Sequence, residues 1–198
     1  MSRTDYLALY EYTIDNQDQI AKVSTNWDSF ETAAQDSGRF LSAGIIGLPV
    51  WDFIDGAETS LLYKVIFNRI RKHNSSIVIP YRCDSPTVRR TLELHLSARL
   101  NGSIDFYSYL LQEECRDTVD LFDPSFDRSN EHIRVCSICK RVALSDHHWV
   151  EVEAAIAHLG LFTTVKMPQI THGLCPECYA MAMAELDSSS PPPRVTTR

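Results

Sequence analysis

Leu92-Glu93-Leu94-His95-Leu96-Ser97-Ala98-Arg99-Leu100-Asn101-Gly102-Ser103-Ile104-Asp105-Phe106-Tyr107-Ser108 is the stretch that decides the fold. Leu92, Leu94, Leu96 and Ala98 alternate with Glu93, His95, Ser97 and Arg99, the period of a half-buried strand. Asn101-Gly102 between two strand runs is a strong hairpin signal, and Ile104, Phe106 and Ser108 begin the partner strand. Immediately upstream, Ile77, Ile79 and Tyr81 alternate in the same way, so three consecutive strands form a meander. Before them a helix is expected from about Glu58 to Lys72, because Leu62, Val65, Ile66 and Ile70 fall at helical spacing on one face.

Further toward the N-terminus, Tyr10, Tyr12 and Ile14 alternate with Glu11 and Thr13. Asp15-Asn16-Gln17-Asp18 supplies turn chemistry and Ile20 to Val23 resumes a strand, so a second hairpin is expected. Trp27 to Gln35 reads as a short helix with Asn26 as its cap candidate, broken at Ile45-Ile46-Gly47-Leu48-Pro49 ahead of Trp51-Asp52-Phe53-Ile54. Two strands, a helical crossover and a three-stranded meander make an α+β unit: one antiparallel sheet with helices on one face.

The chain has 198 residues, 26 Asp+Glu against 19 Lys+Arg, a net charge of −7 and 44% hydrophobic residues. That length holds one ordinary domain and a small second module, with enough apolar mass for a real core. The acidic balance argues against a nucleic-acid coat or an anionic-membrane binder. Residues 1–15 carry no apolar run long enough for the middle of a signal peptide, and no stretch reaches about 18 apolar residues. A cytoplasmic location is therefore expected, where thiols stay reduced and paired cysteines hold metal more often than they bridge.

The order of elements, Asn26-Trp27 after the first hairpin, the run from Ile46 to Ile54, and Ile79-Pro80-Tyr81-Arg82-Cys83-Asp84-Ser85-Pro86 followed by Arg89-Arg90 together resemble a bacterial PAS domain over roughly residues 8–114. The resemblance implies a sensory or protein-interaction module, with a ligand cleft between sheet and helices and the option of a homodimer. Fold alone does not choose among these. The chain is expected to divide into a PAS-like domain at 1–114, an acidic connector at 115–131 (Asp117, Asp120, Asp123, Asp127, Glu131), a second module at 132–187 and a disordered tail at 188–198. In the second module Trp149, Val152, Ile156 and Leu159 suggest a helix after a Ser145-Asp146 start signal.

Cys136-Ser137-Ile138-Cys139 and Cys175-Pro176-Glu177-Cys178 are two C-x2-C pairs separated by 35 residues. A two-residue spacer turns both sulfurs of a pair onto one ion, and four thiolates satisfy tetrahedral zinc with no open position. Lys140-Arg141 after the first pair offset the negative charge of such a site. The second pair opens a helix in which Pro176 suits the first turn and Tyr179, Met183 and Leu186 form an apolar face. This is the pattern of a small treble-clef-like zinc module. The segment also resembles a recurrent C-terminal module of bacterial PAS-containing signalling proteins, through Cys136, Cys139, Lys140, Trp149, Glu153, His172, Gly173, Cys175, Pro176 and Cys178. His172 is either a fourth-ligand substitute or, since four cysteines already suffice, a residue packed beside the site. Cys83 reads as a small buried or half-buried core residue, with a reactive thiol as its alternative, and Cys115 as a free thiol at the joint rather than a ligand.

A cleft in the first domain would be lined by Trp51, Phe53, Ile66, Ile70, Leu94 and Phe106, residues that equally make an ordinary core. The Asn-Cys-Arg-Phe run of flavin-binding PAS domains is absent, and His73 is the one candidate for an axial haem ligand. Charge is uneven: residues 69–99 carry +5 and residues 105–131 carry −6, either as separate solvated faces or as complementary surfaces. Residues 132–187 hold four basic and six acidic residues, no footprint for DNA.

The resulting expectation is a non-catalytic signalling or regulatory protein, with a PAS-like sensor or interaction domain coupled to a structural zinc module that acts through a protein partner. No glycine-rich phosphate loop, activated serine or open metal site suggests an enzyme. The alternatives are a thiol-based redox sensor that releases zinc when its cysteines oxidise, and a haem-binding PAS sensor. Cys175→Ser is expected to unfold residues 132–187 and leave the first domain intact.

Overall fold

The computed structural model describes residues 8–27 and 41–188. The expected helix over Trp27 to Gln35 and the expected disordered tail fall almost wholly outside these residues. β1 (Ala8–Ile14) and β2 (Ile20–Val23) form the first hairpin. Its turn is held by Asp15, whose Oδ1 accepts from the backbone N–H of Gln17 (2.8 Å) and of Gln19 (2.9 Å), a local bond that makes aspartate a turn former. α1 (Ser42–Ile45) and a 3-10 turn at Val50–Phe53 lead to α2 (Ala57–His73). Asn74, at φ 45°, ends α2 in the left-handed conformation that asparagine tolerates.

β3 (Ser76–Arg82), β4 (Val88–Ala98) and β5 (Ile104–Cys115) follow as the meander. The five strands form one antiparallel sheet in the order β2-β1-β5-β4-β3. The β4–β5 hairpin turns at Leu100-Asn101-Gly102, with Gly102 at φ 82° where a side chain would be strained. Leu92, Leu94, Leu96 and Ala98 are all buried, as their alternation requires. On α2 the buried apolar residues are Leu62, Ile66, Phe67 and Ile70, whereas Val65 is 39% exposed, against expectation. At about 100° per residue the buried arc is centred near Ile66 and Ile70, and Val65 lies beyond its edge while Phe67 lies within it.

The second part contains a sheet in addition to the expected helices. β6 (Arg128–Cys136), β7 (Val142–Ser145), β8 (His148–Val150) and β9 (Met167–Gly173) form a sheet in the order β8-β7-β6-β9. β6 and β9 run parallel and the other neighbours antiparallel, so the sheet is mixed. α3 (Val152–His158) and α4 (Pro176–Ser188) complete it. Trp149, expected on a helix, lies in β8: the Ser145-Asp146 signal makes a β-turn, and the helix starts only at Val152. The expected acidic connector also carries apolar anchors, since Val119 and Leu121 are buried.

Two apolar cores result, and they do not follow the sequence divide at residue 132. Ile133, Val135, Val142, Val152, Ile156 and Met167 gather with Val119 and Leu121. Cys136, Ile138, Cys175, Cys178, Ala182 and Leu186 instead join Ile66, Ile70, Ile77 and Ile79 in the core of the five-stranded sheet. Among the described residues no helix is long and apolar enough to cross a membrane.

Candidate metal centre

β6 ends at Cys136, and the chain then folds back within four residues. The Lys140 N–H donates to the Cys136 carbonyl (3.1 Å) and the Cys136 N–H to the Arg141 carbonyl (2.8 Å). Lys140 itself sits at φ 63°, the left-handed conformation this tight knuckle demands. Parallel pairing sets β9 beside β6, placing Gly173 opposite Cys136. Cys175 follows, and Pro176 opens α4, where a missing N–H costs nothing. The two C-x2-C pairs thus meet because two parallel strands end side by side.

The Sγ atoms of Cys136, Cys139, Cys175 and Cys178 all lie within 4.8 Å of one another. Those of Cys139 and Cys175 are 3.7 Å apart, and none of the four cysteines is in a disulfide. Backbone N–H groups point at the sulfurs: Cys175 N donates to Cys136 Sγ and Cys178 N to Cys175 Sγ, each at 3.4 Å. Such donors favour thiolates over thiols. The side-chain hydrogen bond with Cys139, then that with Cys178, hold the Cys136 thiol far below its ordinary value. The same bond to Cys136 pushes Cys139 up to about 12, and Cys178 is driven up by its bonds to Cys136 and Cys139. Thiolates this close repel one another, and a bound cation removes that repulsion so that all four can ionise together. The four cysteines can therefore hold a metal ion, and this all-sulfur donor set suits a soft or borderline one.

α4 presents Cys178, Ala182 and Leu186 to the interior, while Tyr179 is 49% exposed. The apolar face expected through Tyr179, Met183 and Leu186 is thus rotated by about one residue. The reason is the site: Cys178 must face the other sulfurs, and residues four and eight positions later share its side of the helix. His172 stands outside the sulfur cluster. Its Nδ1 lies 3.9 Å from Asp55 Oδ2, and burial followed by the Lys140 charge lowers its imidazole below the ordinary value despite that carboxylate.

Several contacts around the site left no trace in the spacing of the cysteines. Glu58 Oε2, in the first turn of α2, accepts from the Leu174 N–H (2.9 Å). The hydroxyls of Thr59 and Ser137 are 2.8 Å apart. The Arg82 N–H donates to the Ile138 carbonyl (2.8 Å), tying the end of β3 to the knuckle. Gly56, at φ 90°, passes so close that an added Cβ would stand 2.6 Å from the His172 carbonyl oxygen.

The charged stretches meet within the chain. Asp84 pairs with Arg82 and, at 3.1 Å, with Arg116, while Glu151 takes Arg82 at 2.6 Å and Glu153 takes Arg89 at 2.8 Å. Burial works against the Glu153 charge, but its own backbone N–H and the guanidinium groups of Arg89 and Arg116 hold its carboxyl below the ordinary range. Arg141, beside the sulfurs, reaches Glu177 and Glu151. Arg82 and Arg89 thus find counter-charge at the start of α3, on Glu151 just before it and Glu153 in its first turn. The −6 stretch supplies Glu113 to Arg90 and Asp105 to Arg99 across β4–β5.

The residues expected to line a cleft are packed as core. Phe67 lies 5.3 Å from Trp51 and 5.6 Å from Phe106 by ring centroids, and Ile66, Ile70 and Leu94 are buried. Beside them, Tyr10 Oη and Tyr81 Oη are 2.5 Å apart and Tyr81 donates to Ser108 Oγ (3.0 Å), a polar chain unseen in the sequence. His73 is exposed at the end of α2 and faces away from this core. Cys83 is half-buried, with burial raising its thiol, and Cys115 is exposed at the end of β5. Comparison with family models gives no match, and comparison with curated proteins gives none either.

Proposed function

We propose that this chain is a non-catalytic signalling or regulatory protein in which a PAS-like sensor or interaction domain is coupled to a structural zinc site and acts through a protein partner. The observation that carries the reading is the cluster of four cysteine sulfurs. Tetrahedral zinc with bonds of about 2.3 Å separates its sulfurs by about 3.8 Å, and the Cys139–Cys175 separation of 3.7 Å suits it. Four sulfur donors leave no open coordination position, which favours a structural over a catalytic role. The hairpin, helical crossover and meander support the PAS-like half, and the reduced cysteines fit a cytoplasmic protein. A small-molecule ligand or a homodimer remains compatible with that half; nucleic acid and membrane form no part of the proposal.

The test is metal analysis of protein purified without added metal and without chelators. One zinc per chain is the expected result, and a content well below one overturns the site assignment. One observation favours a second reading, the redox sensor. Cys139 is the half-exposed member of the four and lines an open cavity of about 410 Å³ with Pro80, Met181 and Arg141. Mild peroxide that leaves zinc bound and all six thiols titratable would exclude that role.

A further inference from the structure

A structural metal site is ordinarily expected to stabilise the small module that contains it. Here the cysteines stand elsewhere: on the seam between the two cores, and on the side of the larger one. Cys136, Cys175 and Cys178 are buried with Ile66, Ile70, Ile77 and Ile79, and the helix that Cys175 and Cys178 begin adds Ala182 and Leu186 to the same cluster. α4 has no other apolar seat among the described residues, because the second core is filled by β6, β7, α3 and β9.

The links that hold this arrangement come from α2 and β3. Glu58 fixes the Leu174 N–H, Thr59 fixes Ser137, Arg82 fixes the Ile138 carbonyl, and Arg69 meets Asp187 at 3.3 Å near the far end of α4. Each attaches to a residue of a cysteine segment or of α4. Gly56 lets the backbone of β9 approach to a distance that a Cβ would forbid, and at Gly173 an added Cβ would push aside the Arg134 side chain.

Resting on the zinc reading above, we infer that the four-cysteine site is a clamp for the whole fold. Metal joining the end of β6 to the start of α4 keeps α4 seated on the five-stranded sheet, and metal loss uncovers the apolar face formed by α2 and β3. The expectation that a cysteine variant would leave the first domain intact is therefore replaced. Seating of α4 and metal retention are one linked equilibrium, so residues of α2 that touch no sulfur also govern metal release.

Two measurements on the full chain test this. Hydrogen exchange is followed with and without a strong zinc chelator, after metal content has been measured. The clamp predicts exchange faster by about tenfold or more in α2 and β3 as well as in residues 128–188. Acceleration confined to residues 128–188 overturns it while leaving the zinc reading intact; a chain without metal overturns both. In the second measurement, Glu58→Ala removes the acceptor for Leu174 N–H while all four cysteines remain. Zinc transfer to a colorimetric chelator is expected to quicken by about fivefold or more. An unchanged transfer rate in a folded Glu58→Ala protein overturns the clamp.

Discussion

The hydroxyls of Thr59 and Ser137 lie 2.8 Å apart, joining the first turn of the long helix to the knuckle between the first two cysteines. Thr59 is buried and Ser137 half-buried, so the Thr59 hydroxyl takes its partner from the knuckle. The contact states the architecture in miniature: a helix of the N-terminal sheet domain and a candidate metal ligand loop, 78 residues apart in sequence, are packed as one body.

On the proposed zinc reading, replacing a sulfur at the site should cost the chain its metal and much of its stability. Structural zinc contributes about 10–16 kcal/mol of binding free energy, and each kcal/mol moves the melting temperature of a chain this size by about 2–4 °C. Cys178→Ser is expected to lower it by more than about 10 °C. Differential scanning fluorimetry of variant and parent protein, each with its zinc content measured, checks this; equal melting temperatures would remove the metal from any structural role.

Asp84 is the charge on which the ion-pair network turns. Its side chain is 1% exposed and holds the guanidinium groups of Arg82 and Arg116. Asp84→Ala leaves both in a confined space without their shared counter-ion. Breaking a buried pair costs about 3–5 kcal/mol, and the lower end applies because Arg82 keeps Glu151 and Arg116 keeps Glu153. Urea unfolding should show a midpoint lowered by this free energy divided by the slope, with the slope itself unchanged.

Two glycines with nearly the same φ separate strain from collision. Gly47, at φ 88°, has nothing within 4 Å of an added Cβ, whereas at Gly56, φ 90°, the Cβ meets the His172 carbonyl oxygen at 2.6 Å. Gly47→Ala is expected to cost only the strain of a side chain at positive φ, about 1–2 kcal/mol. Gly56→Ala adds a backbone collision that only movement of β9 can relieve, so it should be the more damaging and should also weaken metal retention. Equal unfolding midpoints for the two variants would contradict the close approach of Gly56 to β9.

The tyrosine chain makes a prediction for alkaline pH. Burial raises the Tyr10 and Tyr81 phenols above their ordinary value of about 10. A group whose folded value is raised contributes stability that is present below its unfolded value and is lost as pH rises through and beyond it. Stability should therefore fall from about pH 10 upward. Absorbance of tyrosinate is expected to rise in two stages, the second coinciding with loss of near-ultraviolet circular dichroism. Tyr81→Phe should lessen the fall.

Much of the N-terminal sheet was legible because its strands are buried on one side only. Alternation from Leu92 to Ala98 and the Asn101-Gly102 turn are local signals, and the sheet obeys them. Val65 was misplaced because four apolar residues at helical spacing do not say where the centre of the buried arc lies. Trp149 was misplaced for a related reason: a single aromatic in register with a following helix looks like its first turn, yet pairing with β7 takes it into a strand.

The identity of the four side chains at the candidate metal centre is written in two short C-x2-C spacers, a local constraint that any fold bringing them together must respect. The element order of the first sheet is likewise written in the sequence, because alternation and turn chemistry act over a few residues. Tertiary structure alone decided where that centre sits and what it holds. The parallel register of β6 and β9, the seating of Cys178, Ala182 and Leu186 against Ile66 and Ile70, and the hold of Glu58 on Leu174 join residues far apart in the chain. Such contacts are chosen by burial and by the pairing of polar groups across the whole molecule, and no window of sequence contains both partners.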